Sequence, residues 1–326
     1  MPEAASTNDP LADVTHRSFD GWDDVVAVHD FLAGAMGVAR SARIWEVRRW
    51  EGRWWHDDPD AVDDALIRAA DRIRIWENGD GDIVAVAHPE GDGDGGDADV
   101  HLQLLPQYAD LEDDMLAWAE DAQLSRTGDR ARTLLTFCLD DDAHRIEVLT
   151  NRGYEKLDWG EIHRWRRLDD APTRIEPAPG YSLRALAAGD RDDAAALADL
   201  INTAFGHHFG PEALLNFVRS PSYVADCQIV AVAPDGTHAA HAGVTVDTRN
   251  ALAVVEPVCT HPAHRRLGLA GACISAGLER AMRHGARWAT VSTGTGNPSD
   301  LLYERLGFTD LVERADAWRL DRSPRR

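Results

Sequence analysis

"THPAHRRLGLAGACISAGLERA", residues 260–281, sets paired arginines beside closely spaced glycines in a chain whose formal net charge is −22. Arg265 and Arg266 lead through Leu267 to Gly268, Leu269, Ala270 and Gly271, after which Ile274, Leu278 and Met282 recur at helical spacing. The stretch just upstream, "ALAVVEPVCTH", is a β-like run. The glycines therefore lie where a strand turns into a helix. A helix N-terminus exposes unpaired N–H groups and a partial positive charge, and both favour an anion. Gly268 and the small Ala270 leave the backbone open to close approach, and the two arginines add charge-assisted donors. A tight turn with two solvent arginines is the plainer alternative.

The flanking order decides between these. After the helix come a second β-like run, "ARWATVST", and then "NPSDLLYERLGFTDL". With these pieces the segment resembles the GNAT superfamily of acyl-CoA-dependent N-acyltransferases. The family signature [QR]-x-x-G-x-[GA] is matched by Arg265 to Ala270, and L-Y-x-x-x-G-F by Leu302 to Phe308. The resemblance covers 181–320 well and 15–168 faintly; tandem two-domain GNAT proteins have a similar arrangement. One departure is Asn297, which stands six residues before Tyr303 where many members have seven.

The resemblance implies a mixed, twisted sheet with helices on both faces. Two parallel strands, "AVVEPVCT" and "WATVST", would splay apart to admit the pantetheine of acetyl-CoA as cosubstrate. Backbone groups around Val258, Cys259 and Thr260 would meet the pantetheine, Arg265 to Gly271 the pyrophosphate, and Asn297 the pantetheine or substrate. An N–H on that strand would hold the oxyanion. Tyr303 is the candidate acid for the departing thiolate and Glu256 the candidate base for the amine. Glu256 is assigned to the face of Val258 by strict two-residue alternation, and a carboxylate inside "LAVVEPVC" is costly to bury without a purpose. His207 and His208, in "FGHHFGPE", fall where the family's acceptor-side loops lie, although exposed loop histidines explain them as well. Transfer would run directly from thioester to a small-molecule or peptide amine.

The first half echoes the second. Pro106 opens "PQYADLEDDMLAWAEDA", with Leu111, Met115 and Trp118 on one helix face; "RTLLTFCL" and "HRIEVLTNRGYEKLDW" follow. Aligned on the prolines, Arg265, Arg266 and Gly268 correspond to Ala109, Asp110 and Glu112. The first copy thus carries acids where the second would hold an anion. The expectation is an α/β chain of two tandem GNAT-like domains: a flexible tail over 1–14, a degenerate domain over 15–168, a Pro-rich linker over 169–180 and a catalytic domain over 181–320. In "RRWEGRWWH", residues 48–56, the aromatics fit a helix packing Trp on the core, or a pocket wall. The acidic "GDGDGGDA" tract reads as a solvated hairpin loop rather than a calcium repeat.

Composition bounds the rest. Acids number 56 against 34 bases, and Lys156 is the only lysine. This pattern suits a halophilic surface, since at about 1 M salt the Debye length is about 3 Å and self-repulsion is screened. It argues against a nucleic-acid partner. No apolar run is long enough to span a bilayer, the first residues lack a signal-peptide core, and the four cysteines are widely spaced. A cytoplasmic protein with free thiols is expected, as a monomer whose domains form a pseudo-dimer, or as a homodimer. With one lysine a Walker-type phosphate loop is impossible. A dinucleotide fold fails because Ser299 stands where "STGTGNPS" would need its third glycine. The remaining alternative is a non-catalytic acyl-CoA-binding regulatory module.

Overall fold

The computed structural model describes residues 10–56, 62–89, 97–127, 132–170, 172–206, 208 and 210–322. Strand β1 (Thr15–Ser18) leads into helices α1 (Gly21–Ala39), α2 (Val47–Trp55) and α3 (Val62–Ala70). Then come β2 (Arg74–Glu77), β3 (Ile83–His88), β4 (Asp97–Asp99) and β5 (His101–Leu104). A 3-10 turn (Pro106–Leu111) precedes α4 (Glu112–Thr127), β6 (Arg132–Leu139), α5 (Ala143–Arg152) and β7 (Glu155–Arg167). The second half runs β8 (Ser182–Ala185), α6 (Arg191–Phe205), α7 (Pro211–Phe217), β9 (Ile229–Val232), β10 (His238–Asp247) and β11 (Leu252–Thr260). It ends with α8 (Leu269–Arg283), β12 (Trp288–Gly294), α9 (Ser299–Arg305) and β13 (Leu311–Arg322). The runs expected as strands before and after the quoted loop are β11 and β12, and "RTLLTFCL" is β6.

The chain forms two compact units that are discontinuous in sequence. The first comprises Met1–Ile44, Asp64–Gly160 and Ala315–Arg326; the second comprises Trp45–Asp63 and Glu161–Arg314. These units do not follow a linear cut near residue 168. Helix α2, early in the sequence, belongs to the second unit, and the end of β13 belongs to the first.

In the first unit, β1, β2, β3 and β5 form an antiparallel sheet in that order. β4 pairs in parallel with β6, and β6 pairs antiparallel with Ala315–Arg322 of β13. Met115 and Leu116 of α4 and Leu149 of α5 are fully buried in its core, together with Trp318 and Leu320 from β13. The tract "GDGDGGDA" falls almost wholly outside the described residues.

In the second unit the order is β7, β12, β11, β10, β9, β8. Only the β11–β12 pair is parallel. Helix α8 lays Leu269, Cys273, Ile274, Leu278 and Ala281 on one face, at the 3–4 residue spacing of a single helical stripe. Gly277 lets it come close: a Cβ there would lie 2.7 Å from Val244 Cγ2. Leu197, Leu200 and Ile201 of α6 pack with Cys259 in a separate cluster. Helix α6 is fixed at both ends, by Asp190 accepting from the Asp193 amide and by Gly206 in the left-handed region.

The aromatic stretch 48–56 answers to both readings. Trp50 and Trp54 are buried edge-to-face, 5.4 Å apart, while Arg48 and His56 face a cavity. No described helix is long and apolar enough to cross a membrane.

Candidate functional site

Parallel pairing of β11 with β12 lasts three residues, ending at Val254 opposite Thr290. Beyond that point β11 stays with β10 as far as Thr260, and β12 stays with β7 as far as Gly294. The two strands therefore part, and a gap opens between them. The cause lies in the β10–β11 register. Val255 faces Val244 and Val258 faces Ala242, so Glu256 and Pro257 together oppose the single residue Gly243. That is a β-bulge, and bulges bend the strand that carries the extra residue. Gly243 has no room for a side chain, since a Cβ would lie 2.6 Å from the Glu256 carbonyl oxygen.

The bulge corrects one expectation. Strict alternation would put Glu256 on the face of Val258. The inserted residue makes Val255 and Val258 share a face instead, because their partners Val244 and Ala242 do. Glu256 reaches the cavity from the bulge itself, not from a regular strand position.

Which backbone groups look into the gap follows from one hydrogen bond. The His261 amide donates to Ala239 O of β10 at 2.9 Å. In an antiparallel ladder alternate residues point to opposite neighbours, so Cys259 also turns to β10. Val258 and Thr260 turn away from it, into the gap. Arg265 Nε donates to Thr260 O at 3.5 Å, a long contact at the mouth of the opening.

The loop after β11 makes a 3-10 turn (Pro262–His264) in which His261 Nδ1 accepts from the Ala263 amide at 3.2 Å. Arg266 (φ 64°) and Gly268 (φ 73°) are both left-handed. An arginine in that region is uncommon and strained; the glycine is at ease. Gly268 is the N-cap of α8 and supplies no capping side chain. A Cβ on it would meet nothing within 4 Å, so the space before the helix amides is open. Arg265, Arg266, Leu267 and Gly268 are exposed, Ala270 is half-buried, and Leu269 and Gly271 are buried. Gly271 lies under Leu302 of α9 and Leu306 just after it.

Helix α9 brings Tyr303. Its ring is 5% exposed and packs edge-to-face on Phe308 at 6.2 Å. Burial pushes the phenol up to about 12; a hydrogen bond with Ser299 opposes that rise, and the charge of Glu256 adds to it. Tyr303 and Glu256, from different elements, are thus close enough to sense each other. Asn297 Oδ1 accepts from the Ser299 amide and from Ser299 Oγ, both at 3.0 Å, and Ser299 Oγ meets Thr293 Oγ1 at 2.7 Å. The Asn297 carbonyl thus organises the start of α9. Arg164 of β7 holds Asp300, with Nη2 to Oδ2 at 3.1 Å, and so fixes that helix to the sheet.

A cavity of about 940 Å³ occupies this region of the second unit. Its wall includes Glu256, Val258, Cys259, Thr260, Arg265, Arg266, Asn297 and Tyr303. Leu267, Gly268, Leu269, Ala270 and Gly271 are not part of that wall and form the loop and first helical turn beside it. His208 is exposed and does not line the cavity; His207 lies outside the described residues.

Residues 194–308 match the model of the acetyltransferase (GNAT) family. The chain contains a GNAT acetyltransferase domain. Solved structures extend the likeness to the whole fold. A GCN5-related N-acetyltransferase from Sphaerobacter thermophilus aligns with a TM-score of 0.66 at 19% identity, over 96% of this chain and 97% of that one. A tandem GNAT protein from the clavulanic acid biosynthesis pathway, without AcCoA, aligns with a TM-score of 0.66 at 19% identity, over 96% and 100%. A GCN5-related N-acetyltransferase from Kribbella flavida reaches a TM-score of 0.51 at 17% identity, over 72% and 85%. No curated protein sequence matches the chain significantly.

Several walls of the GNAT domain cavity carry no motif. Arg48 and His56 come from α2 and the residue after it, Phe217 from α7, Tyr223 from the loop beyond, and His241 from β10. His241 Nδ1 lies 3.0 Å from Ile229 O, and burial pulls its pKa down to about 4, so the imidazole is neutral. Burial likewise raises the Cys259 thiol to about 12, which removes it as a thiolate nucleophile near neutral pH. The aromatic cluster at 48–56 was the only signal for the α2 wall; nothing local marked Tyr223 or His241.

Proposed function

We propose that this chain is an acyl-CoA-dependent N-acetyltransferase acting through its GNAT domain on an amine by direct attack. The observation that carries this reading is the meeting of Glu256 and Tyr303 in one cavity where β11 and β12 part. Acetyl-CoA supplies the activated thioester. The gap-facing backbone of Val258 and Thr260 and the open amides before α8 fit a molecule that is extended and amide-bearing at one end and anionic at the other. Arg265 and Arg266 add charge at the anionic end.

The amine nitrogen attacks the thioester carbonyl, a C–N bond forms and the C–S bond breaks. Glu256 accepts the proton that the amine loses. Tyr303 gives a proton to the departing sulfur, and its raised pKa keeps that proton in place across the physiological range. The protonated Cys259 supports a direct route rather than one through an acyl-cysteine. The acidic surface supports work in a saline cytoplasm.

Thiol release from acetyl-CoA with a panel of amines at molar salt tests the reading. Glu256→Gln should lower turnover most near neutral pH, where an unassisted amine stays protonated. Acetyl-CoA binding without thiol release from any amine would leave a ligand-binding module and overturn the enzyme.

A further inference from the structure

Arg48 is the least explained charge in the second unit. It sits on α2, is 3% exposed and lines the cavity. Its guanidinium carbon lies 4.3 Å from the centre of the Phe217 ring. Its Nε is buried with no hydrogen-bond partner, and among the described residues no carboxylate comes within ion-pair distance of it. The chain has 56 acidic residues, yet among the described ones none pairs with this cation. A buried guanidinium without a partner carries an uncompensated desolvation cost, and such groups are normally paired. Stacking on Phe217 occupies one face of the fork and leaves its in-plane donors unused.

The surroundings are built for that side chain. One turn along α2, Gly52 leaves a slot: a Cβ there would lie 2.7 Å from Arg48 Nη1. His56 packs on the same Phe217 ring at 4.3 Å, and burial together with the Arg48 charge holds its pKa well below the ordinary value. It therefore adds no second charge. Tyr223, edge-to-face on Phe217 at 5.8 Å, adds a phenol to this wall, raised to about 12 by burial and so neutral.

We propose that Arg48 is an anion subsite for the acceptor, so that the amine acetylated here also carries a carboxylate or a phosphate. This rests on the acetyl-transfer reading above for the word acceptor, but the subsite itself does not. Arg48 would hold the anionic end in the plane of its fork while the amine is presented towards Glu256. The external anion replaces the missing internal one, which accounts for the orphaned donor in this acidic chain. The guanidinium stacks and forks as lysine cannot, which suits a chain that is almost devoid of lysine.

Calorimetric titration of the full chain, with and without CoA, tests this. β-Alanine, 6-aminohexanoate and phosphoethanolamine are compared with propylamine and hexylamine, whose tails are neutral. At least one anion-bearing amine should bind roughly ten- to a hundredfold more tightly than its neutral counterpart. The carboxylate and phosphate arms tell the two sources apart. Arg48→Met, which keeps apolar contact with Phe217, should abolish that margin, and Arg48→Lys should keep part of it. CoA affinity and the thermal transition, read on the same variants, check that each is folded. The proposal falls if wild type shows no margin, or if folded Arg48→Met retains it. Thiol release from acetyl-CoA with the same amines separates the two claims. A margin without release keeps the subsite and removes the enzyme; release without a margin does the reverse.

Discussion

The helix that opens each half of the internal echo begins in opposite ways. In the second unit α8 starts at Gly268, exposed, with open space before its amides and two arginines nearby. In the first unit α4 starts at Glu112, 3% exposed, whose Oε1 accepts from Arg145 Nε at 3.0 Å and Nη2 at 2.7 Å. Arg145 is itself buried, and the Glu112 charge helps to hold its proton against desolvation. One copy leaves its helix mouth open. The other supplies a carboxylate of its own and turns it inward. Where one copy has an open helix mouth, the other has a buried ion pair.

The sharpest way to break this comparison is to remove the internal acid. Glu112→Ala leaves Arg145 buried without its main partner, which should cost about 3–5 kcal/mol of stability. Denaturant unfolding at fixed high salt measures it; wild-type stability in this variant would mean that the pair is incidental. Next in size is Tyr303→Phe, which keeps ring packing but removes the proton. Its kcat should fall about a hundredfold, the lower end for general acid catalysis, with little change in acetyl-CoA affinity. Unchanged kcat on a true acceptor would make Tyr303 structural.

Copying the first unit into the second comes third. Gly268→Glu should weaken CoA binding roughly thirtyfold, about 2 kcal/mol, through repulsion and left-handed strain. Gly268→Ala adds only the strain and should lose less; equal CoA affinity in folded Gly268→Glu protein refutes the open-mouth reading.

The smallest effect per group concerns alkaline pH. Burial raises Cys138 in the first unit, and Cys227, Cys259 and Cys273 in the second, from 9 to about 12. A thiol whose folded pKa lies above its unfolded value favours folding below the unfolded pKa. That preference is lost as pH rises from 9 towards 12, because the unfolded chain then binds fewer protons. At pH 10 the penalty is on the order of 1 kcal/mol per thiol. The second unit carries three such groups and should open first. Pulsed alkylation between pH 8 and 10.5 should label Cys227, Cys259 and Cys273 before Cys138; the reverse order would show that the units are not independently sensitive.

Much of the site was legible because its parts are consecutive. The arginine–glycine loop, the helix after it, and "LLYERLGF" all lie within one strand–helix–strand–helix run, where spacing and periodicity carry the information. The bulge was not legible. It exists only once Gly243 is placed opposite Glu256 and Pro257, and no local pattern fixes that register. The Arg48 wall was hidden for a related reason: its helix packs in the second unit although it is written early in the first half. Asn297 was singled out as a ligand contact, and the structure shows its carbonyl serving Ser299.

The strand Ala315–Arg322, which pairs with β6 and buries Trp318 and Leu320 in the first unit, has a consequence for synthesis. Domains usually fold in the order they leave the ribosome, the N-terminal one first. Here the first unit lacks a strand until residue 322 has been made. From Gly160 to Ala315, at 5–20 residues per second, the delay is roughly 8–30 s. During that time β6 presents an unpaired edge, the kind of surface that nascent-chain chaperones cover. We expect ribosome-bound chains stopped at residue 314 to be cut by protease within the first unit, and chains carried past 322 on a spacer to resist it.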